Sequence, residues 1–132
     1  MSQENVEVMR QVFAAWEAND FDGFLASLDE ELVTRRHPPM PDPGTWHGRA
    51  GALDLVADWL QSFDDFTVKA EELIDSQDHV VVRTLQGGRG SGSGVRVTGA
   101  VWFVCGFRGG RMVTWDIFAT REQALEAAGL RE

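Results

Sequence analysis

Residues 95–119 read VRVTGAVWFVCGFRGGRMVTWDIFA, two runs of β-branched and aromatic residues divided by Arg108-Gly109-Gly110. Such runs favour strands, and the glycine pair supplies a tight hairpin turn, so residues 95–107 and 111–119 are expected to pair antiparallel. Working back, residues 79–86 (HVVVRTLQ) form another β-branched strand, entered through a turn at Gln77-Asp78. Before it, Phe66, Val68 and Ala70 alternate with polar residues, as on a half-buried strand. The glycine- and serine-rich residues 87–94 read as a mobile hairpin connection. The C-terminal half is therefore an antiparallel meander.

Periodicity changes toward the N-terminus. Val6, Met9, Phe13 and Trp16 recur at helical spacing over residues 2–18, with Ser2 as N-cap and Glu4 and Glu7 at the positive end of the dipole. Asp20 caps a shorter helix with Phe21, Phe24, Leu25 and Leu28 on one face. Residues 30–36 suit a short strand. Residues 37–44, HPPMPDPG, hold every proline of the chain and form a stiff surface loop. A third helix, residues 49–63, presents Leu53, Val56, Ala57, Leu60 and Phe63 to the core. Thr120 and Gln123 make a capping box for a C-terminal helix that stops at Gly129. Helices segregated to one side of an antiparallel sheet make an α+β domain, a single one spanning residues 1–132.

Composition excludes several classes. A net charge of −9, with basic residues scattered except at Arg35-Arg36-His37, argues against nucleic acid and anionic membrane surfaces. Cys105 is the only cysteine, so no intrachain disulfide forms, and its apolar neighbours point to a buried, inert thiol. The polar start Ser2-Gln3-Glu4-Asn5 lacks the pattern of a signal peptide, which makes the cytoplasm the expected location. His37, His47 and His79 show no metal-ligand spacing, so neither metal nor cofactor is expected. The run Gly87-Gly88-Arg89-Gly90 lacks the lysine and hydroxyl of a phosphate loop. Basic charge is almost all arginine, with Lys69 the only lysine, a composition typical of GC-rich bacterial coding.

Four segments carry a resemblance: SQENVEVMRQVFAAWEANDFDGFLASLDEELV, PGTWHGRAGALDLVADWLQSFDDF, DHVVVRTLQGGRGSGSGV and RGGRMVTWDIFATREQALEAAGL. In this order and spacing they resemble SnoaL-like proteins of the nuclear transport factor 2-like superfamily. The resemblance implies a curved sheet wrapped around N-terminal helices, a cone-shaped barrel with an internal apolar pocket. It also implies a homodimer through the outer sheet face. The superfamily includes polyketide cyclases, ketosteroid isomerases, epoxide hydrolases and dehydratases, so fold does not settle function. Ketosteroid isomerase-like members carry an aspartate near the end of the early strand, where this chain has Thr34-Arg35-Arg36-His37, and a helix-1 tyrosine, whereas this chain has no tyrosine. Epoxide hydrolase-like members use an aspartate–arginine–aspartate set, and the matching positions here are Thr84, Gln86 and Ile117.

Strand alternation sorts the remaining candidates. In the last strand Val113, Trp115, Ile117 and Ala119 form an apolar set that should face the pocket, which places Met112, Thr114, Asp116 and Phe118 on the outer face. Val80, Val82, Thr84 and Gln86 should face inward. In the long strand both alternating sets are apolar, so both faces need cover: helices for one, and for the other a second subunit or the chain's own C-terminal helix. The catalytic candidates are His37 for proton exchange, Arg36 for a carboxylate or enolate, and Asp116 as a base. Trp16, Trp46, Trp59, Trp102 and Trp115, with Thr84, Gln86 and Ile117, are the expected pocket residues. Three functions follow: binding of a small hydrophobic or flat molecule; cofactor-independent isomerase, cyclase or hydratase chemistry on a hydrophobic carbonyl compound; or a dimeric regulatory module.

Overall fold

The computed structural model describes residues 2–130. Helix α1 spans Ser2–Glu17, α2 Phe21–Ala26, β1 Leu28–Arg36, β2 Gly44–His47 and α3 Gly48–Ser62. They are followed by β3 Phe63–Asp75, β4 His79–Gly90, β5 Arg96–Arg108, β6 Arg111–Phe118 and α4 Arg121–Ala127. The strands make one curved, unclosed sheet in the order β2-β1-β6-β5-β4-β3, parallel only between β1 and β6. The α+β architecture is the expected one.

Local chemistry punctuates the chain where anticipated. Asn19 takes a left-handed φ of 55° and closes α1, with Asp20 N–H donating to Ala15 O at 2.8 Å. Asp20 then caps α2 by accepting from Gly23 N–H at 2.9 Å. Thr120 accepts from Gln123 N–H at 3.2 Å to start α4, and Gly129 at φ 76° ends it. Gly109 and Gly110 both have positive φ, the geometry a two-residue hairpin needs between the paired Arg108 and Arg111. Ser2 is already helical in α1, and its side chain lies outside the described residues.

The sheet carries a core on each face. On the inner face Val80, Val82, Phe103, Cys105, Trp115 and Ile117 pack with Met9, Val12, Phe24, Leu55 and Trp59 of α1–α3. On the outer face Val81, Trp102, Val104 and Phe118 pack under Ala124 and Leu125 of α4. The chain's own C-terminal helix thus covers much of the apolar outer surface, one of the two covers expected for it.

Several expectations need correcting. Leu53 and Leu60 are exposed (36% and 44%), and Ala57 is too; α3 buries Gly51, Ala52, Leu55, Val56 and Trp59 instead. Gly51 explains the rotation. A Cβ there would sit 3.0 Å from Trp46, so this face of α3 presses directly on β2. Leu28 begins β1 and is fully buried, while Phe21 is 44% exposed. Trp46 lies on β2, a short strand the sequence reading did not anticipate. Gly87 and Gly88 are buried strand residues: a Cβ on Gly87 would meet Val97 O at 2.5 Å, and one on Gly88 would meet Asp64 O at 2.9 Å. Close backbone approach, rather than turn freedom, demands these glycines. Finally, β6 pairs Thr114 with Gly106 and Met112 with Phe107, leaving Val113 as a bulge. The extra residue flips the alternation, so Met112 joins the inner core, contrary to its expected outward place.

Candidate functional site

The inner face does not enclose a ligand-sized chamber. Its cavity is about 30 Å³ and is lined only by apolar side chains, among them Met9, Phe13, Trp16, Trp59, Phe103 and Trp115. The aromatic rings fill the space by packing on one another. Trp59 stacks on Phe103 at 6.5 Å and meets Trp115 edge-on at 5.9 Å; Phe103 meets Trp115 at 5.2 Å; Trp16 meets Phe24 at 5.8 Å. A space of this size suits a water-sized guest, well short of the roughly 300 Å³ at which small-molecule pockets begin. Cys105 faces it, and burial pushes its thiol far up, with the Asp116 charge adding to the effect, so it is no nucleophile.

A groove of about 380 Å³ opens beside this cavity. Trp59 belongs to both and forms the partition between them. Phe63, Phe66, Val97, Val101 and Met40 continue the apolar wall, and Arg36, Gln86, Ser62, Asp42 and Asp58 are its side-chain polar groups. Val97 is 50% exposed, which leaves apolar surface open to solvent at the rim. Phe66 stacks against both Trp59 and Phe63, with centroids 5.8 Å apart in each pair.

Arg36 is the one buried charged side chain among the described residues, at 7% exposure. Strand alternation puts it there. Thr34 and Arg36 register with the inward Trp115 and Ile117, whereas Arg35 registers with Asp116 on the outer face. Its guanidinium carbon lies 5.1 Å from the centroid of the Trp46 ring, a cation–π contact. Its Nε is buried without a hydrogen-bond partner, and no described carboxylate comes within ion-pair distance of it. Thr34 Oγ1 and Trp115 Nε1, neighbours across the β1–β6 ladder, are likewise buried and unpartnered. Gln86 Nε2 donates to Thr84 Oγ1 at 3.4 Å, and Thr84 in turn donates to Val101 O at 2.7 Å.

The other two catalytic candidates sit elsewhere. His37 Nε2 and Asp116 Oδ1 are 2.7 Å apart, and Arg35 Nε lies 3.2 Å from the same oxygen. The His37 ring stacks on outer-face Phe118 at 4.5 Å. Gln123 Nε2 donates to Pro38 O at 2.9 Å, tying the proline loop to α4. Asp116 therefore faces outward, as its strand parity requires, and His37 follows it; both are turned away from the groove.

Of the expected pocket residues, Trp16, Trp59 and Trp115 line the small cavity, and Gln86 and Trp59 line the groove. Trp102 is a correction. It lies in the outer core with Arg121 over its ring at 5.2 Å. Trp46 supports Arg36 from below; Thr84 and Ile117 are fully buried behind the lining. Sequence reasoning missed Phe63, Phe66, Met40, Val97 and Val101. For Val97 and Val101 the signal was available: they share parity with the inward Phe103. Among the described residues no cluster of side chains suits a metal ion, and no helix is long and apolar enough to cross a membrane.

A family model described as SnoaL-like domain matches residues 9–115. The comparison with curated proteins finds no match. Among solved structures, an NTF2-like protein of unknown function from Burkholderia pseudomallei superposes with a TM-score of 0.76 at 21% identity, covering 93% of this chain and 95% of that one. A putative SnoaL-like polyketide cyclase from Jannaschia sp. gives 0.76 at 20% identity, covering 96% and 92%. A protein with a ketosteroid isomerase-like fold from Catenulispora acidiphila, in complex with trimethylamine, gives 0.73 at 17% identity, covering 95% and 94%. At these identities the likeness concerns the fold.

Proposed function

The chain belongs to the SnoaL-like domain family, and we propose that it binds a small, flat, apolar molecule in the groove beside Trp59. The observation that carries this reading is the continuous Trp59–Phe66–Phe63 wall of the groove, with Phe63 and Phe66 half-buried and Trp59 buried behind them, while the interior is filled by its own rings. Stacking surfaces of this kind favour planar ligands, and the few polar groups set orientation. Titration of the chain with 2-naphthol tests it: saturable quenching of tryptophan fluorescence is the expected result, weakened by Phe63→Ala. Quenching that rises linearly without saturation would remove the reading.

A cofactor-independent isomerase, cyclase or hydratase is supported less well. It needs a base at the groove, and His37 and Asp116 are turned to the other face, while the carboxylates that line it, Asp42 and Asp58, are exposed. Arg36 and Gln86 can polarise a carbonyl but cannot take a proton at neutral pH. A homodimer through the outer sheet face is supported by the family resemblance and by the exposed outer-face positions Thr98 and Ala100, which α4 leaves open. Sedimentation at micromolar concentration would show a dimer on this reading and a monomer against it.

A further inference from the structure

We propose that the groove's ligand is a monocarboxylate whose anionic group is held by Arg36, an inference that rests on the groove being a binding site at all. Removing a guanidinium from water is costly unless its donors are satisfied. Six of the other arginines, Arg10, Arg35, Arg49, Arg83, Arg108 and Arg121, have a carboxylate within 4 Å, although each is more exposed than Arg36. Arg36 has the least water and no such partner. Trp46 offers it only a π-face, which compensates charge but accepts no in-plane hydrogen bond.

Arg36 Nε is buried and unpaired, and the residue that carries it, 93% buried, lines the groove. A planar carboxylate matches the guanidinium edge with two parallel bonds. With its charge seated at Arg36, a flat apolar body would extend along Phe63 and Phe66. The exposed carboxylates of Asp42 and Asp58 also line the groove and repel a second negative charge, so a dianion is disfavoured.

Three probes decide the matter in fluorescence titrations of the whole chain at neutral pH: 2-naphthoate, its neutral isostere 2-naphthamide, and naphthalene-2,6-dicarboxylate. The naphthoate should bind roughly tenfold tighter than the amide, the factor expected of one charge-assisted hydrogen bond, with the dicarboxylate weaker than the monoacid. Arg36→Gln should abolish that preference by weakening naphthoate alone. Arg36→Lys should keep its direction and reduce its size, because a point charge replaces the fork. Circular dichroism checks the fold of each variant. Should Arg36→Gln fail to fold, the wild-type ratio and Arg36→Lys still decide. Equal, saturable binding of naphthoate and amide by the wild type overturns the carboxylate proposal and leaves the groove reading standing. A naphthoate preference that survives intact in Arg36→Gln also overturns it. Saturable binding of neither probe overturns both.

Discussion

Arg35, Arg36 and His37 are consecutive, yet they meet opposite fates. Arg35 and His37 converge on one oxygen of Asp116 on the outer face, at 3.2 and 2.7 Å. Arg36, between them, is turned inward, 7% exposed and without a carboxylate. The outer face thus uses its charges to fasten the end of β1 and His37 to β6, and the inner face keeps one cation without a carboxylate in a groove walled by aromatic rings. The contrast teaches that a basic cluster in sequence need not be a basic cluster in space: a strand's period of two splits it. On the proposed reading it also separates stability from function, since the paired charges serve the fold and the unpaired one would serve a ligand.

Substitutions can break that contrast in order of expected size. Trp59→Ala removes the ring that divides cavity from groove and packs on Phe66, Phe103 and Trp115; it should cost about 3–5 kcal/mol in urea unfolding, as large aromatic truncations do. Arg36→Met should act in the opposite direction, raising stability by about 1–2 kcal/mol, because a buried charge with no carboxylate partner gives way to an apolar chain of similar length. A loss of stability there would mean that the guanidinium is satisfied in the folded protein. Asp116→Asn strips the shared acceptor from Arg35 and His37 and should cost about 1 kcal/mol, discounted because Arg35 and His37 are half-exposed.

The smallest effect is on pH dependence at the far end of β1. The backbone N–H of Glu31 and the hydrogen bond from Arg108 hold the Asp29 carboxyl below its ordinary value of 3.8. A depressed folded pKa gives stability that is present above that value and fades as pH falls toward the folded one. Asp29→Asn should therefore lower stability slightly in the neutral region and flatten the acid limb below about pH 4, so that the two curves converge in acid. An identical acid limb in the variant would show that this network carries no linkage.

Much of the fold was legible because its signals are local. Asp20 and Thr120 announced their helices through the reach of one side chain to an N–H three residues on. Gly109-Gly110 announced a hairpin, and the alternation of Trp115, Asp116 and Ile117 told which way each points. The errors arose where a local period met a distant partner. The apolar residues of α3 permit more than one core face, and contact of Gly51 with Trp46 selected the one that exposes Leu53 and Leu60. Gly87 and Gly88 look like turn residues until the approach of Val97 and Asp64 is known. Val113 shifts register by one, and nothing in its neighbours says so.

Sequence by itself therefore determined the α+β order, the caps at Asp20 and Thr120, the outward aspartate and the family, since each depends on residues a few positions apart or on a pattern running the length of the chain. Tertiary structure alone decided that the tryptophans fill the interior, that α4 covers Trp102, and that Arg36 stands unpaired beside Gln86. Those outcomes depend on which segments far apart in the chain come into van der Waals and hydrogen-bond range, and that is set by global packing and strand register.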